Sequence, residues 1–130
     1  MTPEELIEQA RAAAEHAYAP FSNYRVGAVV VADDGSTYTG ANVENSAYGS
    51  AICAESSAIS QAVSSGVRKI DTVAVSCLDA DEPGYPCGNC LQLMAEFDVD
   101  TVIVDGPDGP IVHRFAELLP HGFRLKPSSE

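Results

Sequence analysis

Positive charge is scarce in this sequence. Seven Lys and Arg face nineteen Asp and Glu, a net charge of −12, and only Lys69 and Lys126 among the cations are lysines. A surface of that sign repels the phosphates of DNA, RNA and anionic lipid, which makes nucleic acid and membranes poor partners. The carboxylates read as a highly solvated surface, for which solubility and adaptation to salt are both sufficient reasons. Long apolar runs are missing as well. No stretch approaches the roughly 20 residues of a membrane span, and the opening MTPEELIEQA has neither a basic n-region nor an apolar h-region. The expected location is the cytoplasm. Internal repeats and linkers are absent too, and with 45% hydrophobic and 20% charged residues the chain reads as one globular domain over 1–130.

What is present falls into alternating helical and extended patterns. Thr2, Pro3 and Glu5 combine an N-cap, a proline at the first helical position and a capping-box glutamate, and Leu6, Ile7, Ala10, Ala14 and Ala17 continue as one stripe. The pattern predicts a helix over about 3–18, stopped by Pro20. Residues 26–32 read as a buried strand, 33–36 as a turn and 37–41 as its returning partner. A polar stretch over 42–50 precedes a helix over 52–65 that ends at Gly66, and 70–76 reads as another buried strand. The Pro- and Gly-containing loop 79–88 leads into a helix over 88–97. Strands at 101–104 and 111–114 flank the turn 105–110. Helices between consecutive buried strands imply an α/β chain: a three-layer α/β/α arrangement around a mixed five-stranded sheet.

The cysteines mark where chemistry is expected. In a reducing compartment four of them are read as metal ligands or a reactive thiol before two disulfides. Cys53, within Cys53-Ala54-Glu55, starts one helix; Cys87 and Cys90, within Pro86-Cys87-Gly88-Asn89-Cys90, start another. At a helix N-terminus the unpaired N–H groups and the dipole favour a thiolate. Three thiolates converging between two helix ends would hold zinc with one position open to water, the arrangement of a catalytic site. Glu55, in the first turn, is placed to act as a base on that water. Without such convergence the same residues read as buried or redox cysteines and a dipole-compensating glutamate. Cys77 ends an apolar strand and reads as core. His16, His113 and His121 have no ligand spacing and read as surface or packing residues.

These segments resemble the zinc-dependent cytidine deaminases, of the small homotetrameric type. The similarity spans most of the chain: Ala19-Pro20-Phe21-Ser22 with Val26-Gly27-Ala28, Gly40-Ala41-Asn42-Val43-Glu44-Asn45, Ile52-Cys53-Ala54-Glu55, Pro86-Cys87-Gly88-Asn89-Cys90 with Gln92, Glu96-Phe97, and Leu118-Leu119-Pro120 with Phe123. The resemblance implies one zinc per chain on Cys53, Cys87 and Cys90. It also implies hydrolytic deamination at C4 of cytidine or deoxycytidine in pyrimidine salvage, with Glu55 shuttling the protons. It assigns Ala54 to the base and Asn42 and Glu44 to the ribose. Tyr24 stands beside the base in place of a usual phenylalanine, and Ser46, Tyr48 and Phe123 reach into a neighbour's site in a homotetramer. Ser46-Ala47 reverses a more usual Ala-Ser order. A carboxylate at 44 would itself repel a phosphorylated substrate, favouring nucleosides over nucleotides.

Two departures carry an expectation of their own. Family members with three cysteine ligands commonly have an arginine directly after Cys-Ala-Glu and another after the second cysteine of P-C-x-x-C, where this chain has Ser56 and Leu91. The helix N-termini and the Ser56 hydroxyl are then left to offset the thiolate charge, which should raise the acidic limb of the pH–rate profile. Rival readings are deamination of another cytosine-like compound such as blasticidin S, and a non-catalytic zinc-stabilised subunit.

Overall fold

A computed structural model describes residues 1–125. The elements run α1 (Pro3–Ala14), β1 (Val26–Ala32), β2 (Thr37–Ala41), a 3-10 turn (Tyr48–Ser50), α2 (Ala54–Ser64), β3 (Ile70–Cys77), α3 (Gly88–Glu96), β4 (Thr101–Gly106), β5 (Gly109–Arg114) and α4 (Phe115–Leu118). The five strands form one sheet in the order β2-β1-β3-β4-β5. Pairing is antiparallel except between β3 and β4. The mixed sheet between helical layers agrees with the sequence expectation.

Alternation along the central strands builds two cores. Val29, Ala74 and Ile103 lie abreast on β1, β3 and β4, and pack with Leu6, Ile7 and Ala10 of α1. The rows Ala28–Val75–Val104 and Val30–Val73–Val102 face the other way, into a core shared with Ala58, Ile59 and Ala62 of α2 and Met94 of α3. Because both faces are covered, the strands are apolar almost throughout.

The capping box of α1 is present: Thr2 Oγ1 accepts the Glu5 N–H at 3.1 Å, and Glu5 Oε1 accepts the Thr2 N–H at 2.8 Å. The other end of the helix differs from expectation, since it stops at Ala14 rather than residue 18. Tyr18 instead bridges Val43, donating its N–H to Asn42 and accepting the Glu44 N–H. Ile52 likewise pairs with Val43, so α2 begins at Ala54 with Cys53 as its N-cap. At the far edge β4 and β5 run on to Gly106 and Gly109, shrinking the expected six-residue turn to Pro107-Asp108. Gly109 has φ +123°, which glycine adopts readily, and Pro110 is tolerated because β5 is an edge strand.

The topology brings two helix starts together. As β1 is antiparallel to both β2 and β3, those two strands end at the same edge of the sheet, and α2 and α3 begin beyond that edge. Close approach of α2 to β2 depends on Gly40, where a Cβ would lie 2.6 Å from Ala58 N and 2.7 Å from Ala54 O. Gly40→Ala must therefore push α2 outward. The expected cost is about 1–3 kcal/mol in denaturant unfolding, accompanied by faster loss of metal to a chelator, because the displaced helix carries Cys53.

Candidate active site

Cys53 and Cys87 occupy the N-cap positions of α2 and α3 in extended conformation, and neither makes a regular side-chain capping bond. The usual Ser, Thr, Asp or Asn is missing at both, leaving first-turn N–H groups for another acceptor. Cys90 follows in the first turn of α3 and is fully buried. The three sulfurs lie within 4.8 Å of one another. Cys77 is not part of this group.

Their environments differ. Burial raises the Cys53 and Cys90 thiols, and the Glu55 charge adds to both; the Ser56 hydroxyl, 3.7 Å from Cys90 Sγ, works the other way. Burial also opposes ionisation of Cys87, but the N–H of Cys90, its thiol and that of Cys53, and the N–H of Asn89 outweigh it and lower the thiol. Three adjacent thiolates coexist only against a cation. The donor set fits zinc. Sulfurs at about 2.3 Å from a tetrahedral zinc stand roughly 3.8 Å apart, so the observed spread closes with small side-chain adjustments. Ser56 touches Cys90, whereas Leu91 packs against the core.

Above the sulfurs lies a cavity of about 310 Å³ whose lining includes Tyr24, Asn42, Glu44, Cys53, Ala54, Glu55 and Cys87. Glu55 is only 5% exposed, and with Ser76 it is one of two buried polar residues among those described. Ser76 donates to Asp105, but Glu55 has no side-chain partner among the described residues. Burial pushes its carboxyl above the usual range, only partly offset by its own N–H. A buried acid that faces a cavity and is bonded to no other side chain is placed to exchange protons with whatever occupies that cavity.

Opposite, Glu44 is held by Phe21 and Ser22. Its Oε1 accepts their N–H groups at 2.9 and 3.2 Å, and the Ser22 hydroxyl donates to Oε2. Chiefly through that hydroxyl, its carboxyl is lowered and stays ionised at neutral pH. Asn42 accepts the Val26 N–H at 2.8 Å and donates to the Tyr24 carbonyl at 2.9 Å, which fixes the amide and leaves its second N–H uncommitted by these bonds. The neighbouring Cys77 thiol, together with burial, pushes the Tyr24 phenol up to about 12. Cys77 is therefore no core filler: it is half-buried and lines the cavity.

Not every expected residue is gathered here. Tyr48 is 89% exposed and borders an adjoining hollow that shares Glu44 and Ala51 with the cavity. Phe123 lies against a separate depression near Ala95 and Phe115, its carbonyl accepting from Gln92, and Ser46 is exposed outside both hollows. Sequence reasoning missed Tyr85, which lines the cavity and reaches His113. Only its place just ahead of Pro86-Cys87 could have signalled it.

Comparison with known proteins decides the family. The profile of the "Cytidine and deoxycytidylate deaminase zinc-binding region" matches residues 1–105. The chain belongs to this family. It is 43% identical over 121 residues to the cytidine deaminase of Halalkalibacterium halodurans, covering 91% of each chain. With that of Sporosarcina psychrophila it shares 47% over 97 residues, 75% of this chain and 71% of the relative. The crystal structure of cytidine deaminase from Burkholderia pseudomallei superposes with a TM-score of 0.87 at 40% identity, over 95% of this chain and 100% of the other. The matched zinc-binding region contains the three-cysteine cluster, which is able to hold a metal ion, and no helix in the described residues is long and apolar enough to cross a membrane.

Proposed function

We propose that this chain, acting as one unit over residues 1–130, hydrolyses cytidine and deoxycytidine to uridine and deoxyuridine with release of ammonia. Its setting is pyrimidine salvage in the cytoplasm. The observation that carries the reading is the buried Glu55 carboxyl, bonded to no other side chain, in the same cavity as Cys53 and Cys87. When bound by Cys53, Cys87 and Cys90, zinc supplies the Lewis acidity that makes water nucleophilic at neutral pH. Glu55 accepts one proton of the water that attacks C4 and delivers it to N3; it then takes the second proton from the hydroxyl now on C4 and passes it to the amino group as the C4–N bond breaks and ammonia leaves. Its raised carboxyl suits both halves of that task.

The remaining residues orient the nucleoside. Ala54 offers its backbone to the base at the first position of α2, and the Tyr24 ring supplies an aromatic wall. Asn42 directs its free N–H, and Glu44 its remaining lone pairs, at the ribose hydroxyls. The ionised Glu44 disfavours a 5′-phosphate. Tyr48 and Phe123, 89% and 66% exposed, are apolar surface that a homotetramer would cover; in it they and Ser46 complete a neighbour's site.

Incubating zinc-loaded protein with cytidine, deoxycytidine, cytosine, cytidine monophosphate and blasticidin S tests the reading. Ammonia should be released fastest from the two nucleosides; release from blasticidin S alone, or from none, overturns it. Glu44→Gln keeps acceptors for the Phe21 and Ser22 N–H groups but removes the charge. Its KM for cytidine should rise at least about tenfold, with turnover of free cytosine unchanged. Equal effects on both would remove the ribose assignment.

A further inference from the structure

Tyr85 belongs to no part of the scheme above, yet it lines the cavity together with Glu55, Cys53 and Cys87. Its hydroxyl lies 2.9 Å from His113 Nε2 on β5, and the two rings meet edge-on with centroids 5.3 Å apart. His113 Nδ1 is 3.9 Å from Glu117 Oε1, which accepts the Arg114 N–H at 2.8 Å. The 3.9 Å separation is a loose contact rather than a hydrogen bond, and the bond between Tyr85 and His113 Nε2 forms with either ring tautomer. One residue earlier the loop is seated tightly on β3, since a Cβ at Gly84 would fall 2.2 Å from Cys77 Sγ. The Tyr85 ring is thus held by His113, and the loop that carries it is seated against β3.

Its place in the cavity gives the ring a consequence. Asn42 and Glu44 approach from the end of β2, whereas Tyr85 stands two residues ahead of Cys87, on the sulfur side. A cytosine placed for Glu55 to reach N3 and the amino group directs its C4 edge toward that side. We propose that the Tyr85 side chain, positioned by His113, is the specificity-determining wall that limits what the exocyclic nitrogen of the cytosine can carry. A primary amine fits; an N4-alkylated one meets the ring. The inference rests on the cytidine-deaminating reading above.

The test compares cytidine with N4-methylcytidine, which on hydrolysis at C4 gives uridine and methylamine, with uridine formation measured chromatographically for both. Zinc content and calorimetric binding of uridine, which has no amino group, are recorded for every variant. The parent should prefer cytidine by at least about tenfold in kcat/KM, the size of effect one extra methylene has in a tight pocket. Tyr85→Ala should narrow that preference at least about fivefold, mainly through a lower KM for N4-methylcytidine, with uridine binding unchanged. Tyr85→Phe and His113→Ala each break the same hydrogen bond and should narrow it less. Their combination should do no more than either alone, because the two act through one contact. His113→Ala lies on β5, away from the metal ligands, and stands in should Tyr85→Ala fail to fold. A preference unchanged within about twofold in these variants overturns the inference while leaving the function intact. A zinc-loaded parent that leaves cytidine untouched overturns both.

Discussion

Glu55→Gln is expected to fold, to bind one zinc per chain and to lose turnover of cytidine by at least about 10²–10⁴-fold, the usual contribution of a positioned acid–base group. The amide has the shape of the acid, so α2 need not move and the cavity keeps its form. What disappears is the group able to take the proton of water and return it to the substrate. The neutral side chain should suit the buried position well, because burial already disfavours the carboxylate. Unfolding monitored by circular dichroism should therefore show no loss of stability. Turnover within tenfold of the parent would remove Glu55 as the proton carrier.

Loss of a ligand should have an effect of similar size on the metal. Cys87 is exposed, so Cys87→Ala leaves no cavity in the core, and any change reports on coordination. Two remaining sulfurs make a poor zinc site; affinity should fall by more than about a hundredfold, beyond the 10–100-fold expected from losing an outer hydrogen bond to a ligand. Cys77→Ala should retain the metal, since its sulfur stands outside the three-cysteine group. Elemental analysis after dialysis against a weak chelator distinguishes the two. Retention by Cys87→Ala with loss by Cys77→Ala would overturn the ligand assignment.

Sequence reasoning reached the strands, the helix order and the three cysteines because each is encoded locally. The Thr2-Pro3-Glu5 cap and the β-branched run 26–32 declare their structure within a few residues. The first and second helices are legible in place but too long, for a shared reason: Tyr18 and Ile52, at the outer ends of the expected spans, are taken by bridges to Val43. Such pairing depends on residues more than eight positions away and overrides periodicity. The same holds within the site. Glu55 is identified by its neighbour Cys53, but nothing near Cys77 in sequence reveals that Tyr24 is its neighbour, and nothing near His113 reveals Tyr85. Those contacts exist only once β1, β3 and β5 share a sheet.

The role of Ser56 illustrates a partial case. Its place after Cys53-Ala54-Glu55 suggested an interaction with a thiolate, and the structure puts it 3.7 Å from Cys90 Sγ, on the other helix. Leu91, at the second position that lacks an arginine, turned out to serve the core rather than the sulfurs.

The central claim is that deamination of cytidine depends on a metal held by Cys53, Cys87 and Cys90. The most direct test is to add zinc stepwise to metal-free protein while ammonia release from cytidine is measured. Release should be absent at the start, rise in proportion to added zinc and level off at one zinc per chain. Full turnover in the metal-free protein, or none at one bound zinc per chain, would contradict the account.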